Sequence, residues 1–344
     1  ADATTIPRRR RAAMSPVATV VLPTPECVPA MKTRGPSDAM PGCWHDGGVR
    51  IVSLLPSATE IVYALGLADQ LVGVTHECNW PPDALTKTRV SRSLLPPDAT
   101  PSEIDALVTA ASIPGGTPTE ELDEMVLKDL APDLILTQDL CAVCAVPAGD
   151  VDAALEAIGC RAEVVSLDPN TVDDTLDAIR RVGAATGRDD EAARCVSDLR
   201  DRIERVRSAV AGRSRRRVFA LEWGDPPFNG GHWIPGMIDI AGGTPVLAEP
   251  GRDSVRVTWE QIGAASPDVV VFTPCGYTLA EAIDEAPAIL DRPEIAAAEV
   301  WAVDADSFFV RPGPRLVDGI EILAAALHPE VVEPTHERAA ARLR

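Results

Sequence analysis

The chain has 344 residues, with 32 Lys and Arg against 52 Asp and Glu, for a formal charge of −20 at pH 7. A chain this acidic lacks the basic face that binding a phosphate backbone requires, which excludes nucleic acid as a partner. No apolar run approaches the ~20 residues of a membrane-spanning helix, whereas a hydrophobic content of 46% suffices for a large core spread over about two domains.

Residues 1–48 are rich in proline, contain the run Arg8–Arg11 and show neither a helical nor a strand period. This composition predicts a disordered leader. The Arg run followed by the mildly apolar Ala12–Pro25 has the outline of a twin-Arg export signal. However, Pro16 and Pro23 interrupt that stretch and no clean small-residue cleavage site follows, so the expectation is a cytoplasmic protein with a non-structural leader.

The pattern changes at Val49. The run Val49–Leu54 is a buried strand, and Ser57 with Glu60 has the spacing of a capping box that opens a helix. Leu71–Thr75 reads as a strand, Pro101–Ala111 as a helix, Leu122–Leu130 as a helix and Asp133–Thr137 as a strand. Val151–Ile158 then reads as a helix and Glu163–Leu167 as a strand. Two amphipathic helices, Thr171–Gly187 and Asp189–Val210, follow with no strand between them. Alternation resumes with a strand at Arg217–Glu222, a helix at Ile234–Ala241, a strand at Val300–Val303 and a helix at Leu316–Leu327. Leu122–Thr137 and Thr258–Thr273 echo each other as helix, Pro-Asp, apolar strand and Thr. The fold class is therefore α/β: two Rossmann-like lobes with mainly parallel sheets, joined by one long helix. The expected divisions are the leader 1–48, a first lobe 49–170, a helical linker 171–212, a second lobe 213–330 and a tail 331–344.

Ligands of parallel sheets bind beyond the carboxyl ends of the strands. The unusual residues fall there. Pro56 and Ser57 follow the first strand; His76, Cys78 and Trp80 follow the second; Asp139, Cys141 and Cys144 follow the strand at 133–137. In the second half, Glu222, Trp223 and Phe228 follow the strand at 217–222. His232 and Trp233 open a helix, Cys275 and Tyr277 follow a strand, and Phe309 and Arg311 follow the last one. The Trp side chains suit a flat ligand. His76, Cys78, Cys141 and Cys144 are soft donors that suit a bound metal ion, and buried thiols acting as small hydrophobes are the competing reading. A helix N-terminus would lower the pKa of His232. The eight Cys do not form a disulfide framework in a chain of this size, and Cys160 and Cys195 read as core residues. No nucleophile elbow, phosphate loop, dinucleotide loop or zinc-protease motif is present, so no enzyme is indicated.

Taken together, Arg50–Leu67, Leu71–Pro82 with its His-Glu-Cys-x-x-Pro, Thr137–Cys144, Glu222–Phe228, Gly231–Pro235 and Arg311–Gly319 resemble the helical-backbone metal-receptor superfamily. These are the class III substrate-binding proteins of ABC importers for cobalamin, iron-siderophores and haem. The motifs are most similar to the branch called cobalamin-binding proteins, over about residues 49–330. The resemblance implies two lobes bridged by the helix Asp189–Val210. It also implies a cobalamin or related corrinoid held between them, a monomer, no catalysis and an ABC permease as partner. Docking members carry an acid on each lobe seven positions before the Pro-Asp. The second lobe has Glu260 there, and the first has Met125 with Glu124 beside it, so Glu124 and Glu260 are the expected docking residues. An intracellular metal-site protein using the His/Cys cluster, and a siderophore or haem receptor of the same fold, are the alternatives.

Overall fold

The computed structural model describes residues 48–111, 117–138, 148–336 and 338–344, apart from the side chains of residues 148 and 150. The expected leader, and Asp139, Cys141 and Cys144, lie outside the described residues.

The first half opens with β1 (Ile51–Ser53), α1 (Pro56–Ala64), β2 (Leu71–Val74) and β3 (Thr88–Arg89). An excursion follows, made of β4 (Ser91–Ser93), α2 (Pro101–Ala111) and β5 (Glu120–Leu122). The chain then runs through α3 (Glu124–Leu130), β6 (Leu134–Thr137), α4 (Ala148–Ile158) and β7 (Glu163–Ser166). Five strands form a parallel sheet in the order β3-β2-β1-β6-β7, and β4 pairs with β5 as a separate antiparallel ribbon. The sequence expectation of one helix over Leu122–Leu130 is corrected: Leu122 ends β5, because its backbone pairs with Ser91 across the ribbon, and Asp123 caps α3 by accepting from Val126 N at 3.0 Å.

Two long helices follow, α5 (Val172–Thr186) and α6 (Asp189–Val210). Thr171 and Asp174 form a reciprocal capping box on α5, and Gly187 ends it in the left-handed conformation that glycine tolerates best. A Cβ on Gly183 would run into Ala192, so its absence lets the two helices fold back tightly on each other. The bounds of α6 coincide with those expected from its periodicity, and its buried positions Val196, Leu199, Ile203 and Val206 form one stripe.

The second half contains β8 (Arg217–Gly224), β9 (Pro227–Asn229), α7 (Ile234–Ile240), β10 (Thr244–Pro245), α8 (Trp259–Ala264) and β11 (Val269–Phe272). It continues with α9 (Leu279–Glu285), α10 (Pro287–Leu290), β12 (Glu299–Val303), α11 (Ala305–Phe308), α12 (Leu316–Leu327) and β13 (Ala340–Arg342). The order is β10-β8-β11-β12-β13, parallel except for β13, and β9 pairs antiparallel with β8. Residues 340–342, beyond the expected second-lobe boundary, thus supply an edge strand.

Alternation along the strands explains why they read as unbroken apolar runs. Both faces are buried. Ile51, Leu134 and Leu136 face a cluster shared with α5, α6, α7 and α12, whereas Val52, Leu54 and Ile135 face a cluster with Leu127, Val151 and Leu155. In the second sheet, Val218, Ala220, Val269 and Val271 join the shared cluster, and Phe219, Leu221, Val270 and Phe272 face a third. The two sheets therefore rest on one hydrophobic body organised by α5 and α6.

Candidate functional site

Beyond the shared hydrophobic body, the two halves meet at two places among the described residues, the first of them at the carboxyl ends of the sheets. The first contact is polar. α1 begins directly after β1, and its N-cap is Leu55 with Pro56 at the first helical position and no side-chain cap. The capping box expected from Ser57 and Glu60 is therefore corrected. The Glu60 carboxylate is instead taken by the Arg315 guanidinium in the other half, with Nη2 to Oε1 at 2.6 Å and Nε to Oε2 at 3.0 Å. Arg311 lies 3.7 Å from the same carboxylate. Arg311 also donates to Asn79 Oδ1 at 2.6 Å and to Asp306 Oδ1 at 2.7 Å, while Asn79 Nδ2 donates to Asp306 Oδ2 at 3.2 Å. Glu60, Asp306 and Arg311 are all buried. Burial pushes the Glu60 carboxyl up, and the Arg315 and Arg311 charges oppose that shift. Trp80, 43% exposed, lies under the Arg315 guanidinium at 4.6 Å, a cation–π contact that also orients the arginine.

The second contact is mainly apolar. Ala99, Ile104 and Val108 leave the first half of the chain and join the third cluster beside Phe219, Trp223, Phe228 and Tyr277. Trp223 Nε1 donates to Pro101 O at 3.3 Å, and Arg256 donates to Asp105 at 2.6 Å. Trp223 and Tyr277 pack edge to face with centroids 5.8 Å apart.

Strand alternation separates two neighbours that the sequence reading grouped. Trp223 belongs with Phe219 and Leu221 on the α2 side, whereas Glu222 turns to the opposite face of β8. Glu222 is buried there, accepts from the Ser254 hydroxyl and is pushed up to about 7 by burial. Gly231 N donates to Ser254 Oγ at 3.0 Å, and a Cβ on Gly231 would collide with the backbone of residues 252–254. His232 and Trp233 follow in the same turn. Burial lowers the His232 pKa against the nearby Asp253 charge, so the cause differs from the helix N-terminus expected. Trp233 Nε1 donates to Phe309 O at 2.7 Å, which fastens the buried Phe309 segment to α7. Cys275 is buried, with its N–H donating to Glu222 O at 3.3 Å.

His76 sits at the root of the excursion. Its Nδ1 is 3.0 Å from Ser91 Oγ and 3.3 Å from Glu120, and its Nε2 is 3.2 Å from Glu77. Burial pushes Glu120 up to about 7 despite the imidazole beside it. Cys78 points away into the core, where Thr59 Oγ1 donates to its sulfur at 3.0 Å and burial raises its pKa. Among the described residues, no group of three His, Cys, Asp or Glu side chains is placed to hold a metal ion. Glu124 and Glu260 are both exposed in the first turns of α3 and α8, and Met125 beside Glu124 is 65% exposed. Asn79, Glu120, Asp306 and Arg315 are not among the site residues expected from sequence, and Glu60 is expected there only as a helix cap. The one available signal was the pair of arginines in the rigid Arg311-Pro-Gly-Pro-Arg315 segment.

Two sheets with helices on both faces, apposed at their carboxyl ends and braced by a long helix pair, define a two-lobed ligand-binding protein of the class III type. The periplasmic binding protein family profile matches residues 51–299, and the chain belongs to that family. It is 27% identical over 278 residues to a vitamin B12-binding protein of Vibrio cholerae, covering 79% of this chain and 86% of the relative. It is 26% identical to an uncharacterised ABC transporter substrate-binding lipoprotein of Bacillus subtilis, covering 82% and 80%. Solved structures share the fold. A periplasmic haem-binding protein of Pseudomonas aeruginosa has TM-score 0.64 at 20% identity, covering 85% of this chain and 97% of that one. The periplasmic vitamin B12-binding protein of Vibrio cholerae has TM-score 0.59 at 24% identity, covering 82% and 98%. The chain is a solute-binding protein of ABC-type uptake and not an enzyme. The cytoplasmic location expected from the leader is corrected. The matching family and structures are periplasmic and one relative is a lipoprotein, which supports an extracytoplasmic location. No helix among the described residues is long and apolar enough to cross a membrane.

Proposed function

We propose that the protein captures a corrinoid of the cobalamin type between its lobes and delivers it to an ABC permease. The observation that carries this reading is the similarity to relatives named for vitamin B12 or cobalamin over most of the chain; it is supported by Trp80 and Arg311 at the polar junction and by Trp223 and Tyr277 at the apolar one. A corrinoid is broad, flat on its faces and fringed by amides. Indole and phenol rings suit its faces, and buried carboxyl, arginine and asparagine groups suit its amides. Glu124 and Glu260, exposed on separate lobes, are the proposed docking acids for the permease, where a fixed spacing of negative charge would steer a basic partner.

The test is gel filtration of the purified chain with cyanocobalamin, read by visible absorbance. Co-elution at one ligand per chain is expected. Haemin offered in the same way decides against the corrinoid if it binds stoichiometrically while cyanocobalamin elutes free.

A further inference from the structure

The excursion from the first lobe has an unusual construction. Its root is the ribbon β4–β5, closed by Leu94 N donating to Thr119 O at 2.8 Å and fastened to the β2 loop through Ser91, Glu120 and His76. Its tip, α2, shares no sheet with either lobe. Only Ile104, Asp105 and Val108 of its helix are buried, and the apolar pair faces the cluster of the opposite lobe. Leu107 on the other side of the helix stays exposed.

This placement creates a conflict with a ligand wall. Trp223, Phe228 and Tyr277 are each buried, in a cluster that includes Ala99, Ile104 and Val108. Trp223 also spends its only donor on Pro101 O. No ligand reaches these rings while α2 is seated.

We propose that α2 is a detachable clasp: a helix of the first lobe seated on the aromatic face of the second, whose release uncovers Trp223, Phe228 and Tyr277 for the ligand. The claim that a ligand then uses this face rests on the function proposed above; the claim that α2 detaches as a unit does not. The seat is small enough for this. The contacts it makes with the second lobe among the described residues include the aliphatic side chains of Ile104 and Val108, the indole hydrogen bond to Pro101 and the ion pair of Asp105 with a half-exposed Arg256. The root is held separately, so the helix leaves without unravelling the ribbon. A protein whose competent form is a minor population binds its ligand more weakly by that fraction, and loosening the seat removes the handicap.

Hydrogen exchange of the full chain without ligand tests detachment. Ile104→Ala is expected to speed exchange in residues 101–111 on the order of thirtyfold, the lower end for truncating a buried isoleucine. Peptides from β8 and β11 are expected to keep wild-type rates, and Leu107→Ala is expected to change neither. Equal acceleration in β8 and β11 would show that α2 is an integral part of the second lobe's core and would overturn the clasp. Acrylamide quenching decides the uncovering: Ile104→Ala is expected to expose indole fluorescence that disappears in Ile104→Ala with Trp223→Phe, and unchanged quenching sinks it. With cyanocobalamin, Ile104→Ala is expected to bind faster than wild type, whereas slower or weaker binding would make α2 part of the binding surface and refute its role as a cover. If cyanocobalamin binds neither protein, the corrinoid reading fails, and exchange and quenching still judge the clasp.

Discussion

The two junctions between the lobes are built from opposite materials. At one, Glu60, Arg311, Arg315, Asn79 and Asp306 interlock through hydrogen bonds of 2.6–3.2 Å. At the other, Ile104 and Val108 rest on aromatic rings. The difference lies in what each can tolerate. A buried ion network demands fixed geometry, because each charge has lost its water and only its partners replace it. An apolar seat has no such requirement, and its members can return to solvent for about 1.5–3 kcal/mol per large side chain before entropy is counted. One junction therefore fixes the relation of the lobes, while the other is suited to exchange.

The strongest way to break this contrast is Glu60→Ala. It leaves the largely covered Arg315 guanidinium without its carboxylate, removes one of the two acids beside the buried Arg311, and should cost about 3 kcal/mol in urea denaturation. A loss below ~1 kcal/mol would mean that the network is not a lock. Glu222 sharpens the comparison as a buried carboxyl held by the neutral Ser254 hydroxyl rather than by a guanidinium, raised to about 7 from 4.5. Because the folded-state value is raised, its stabilising contribution is full below pH ~4.5 and is lost as pH rises through about 7. The wild type should lose up to about 3 kcal/mol over that interval from this group, and Glu222→Gln should flatten that part of the stability–pH curve. Trp80→Ala removes only the ring under Arg315, and a thermal midpoint shift equivalent to about 0.5–1 kcal/mol is expected. A similarly small effect belongs to the clasp: Arg256→Ala removes the half-exposed partner of the buried Asp105 and should cost about 1 kcal/mol globally, the upper end for a pair with one solvated member, with faster exchange confined to α2.

What the sequence made legible follows from the range of the forces involved. The bounds of α2, α6 and α12 match their expected limits because helical periodicity and end signals are local. The partnership of Glu60 with Arg315 spans 255 positions and leaves no periodic trace. Glu60 instead satisfied a local capping pattern that the fold did not use. Trp223 and Glu222 stand out together in the sequence, but their adjacency conceals that a strand sends neighbours to opposite faces. The seat of α2 was invisible for the same reason: an amphipathic helix announces that it will pack, not which lobe will receive it.

The hydrophobic body shared by both sheets carries a consequence for anyone wishing to recombine these halves. α5 contributes Leu176, Ile179 and Val182 to it, and α6 contributes Val196, Leu199 and Ile203, alongside Ile61 from one half and Ile320 from the other. Neither half owns the whole of its interior. A chimera that swaps one half for a relative's must transplant the helical hairpin with matching side chains, and a severed half expressed alone would present a long greasy flank and precipitate.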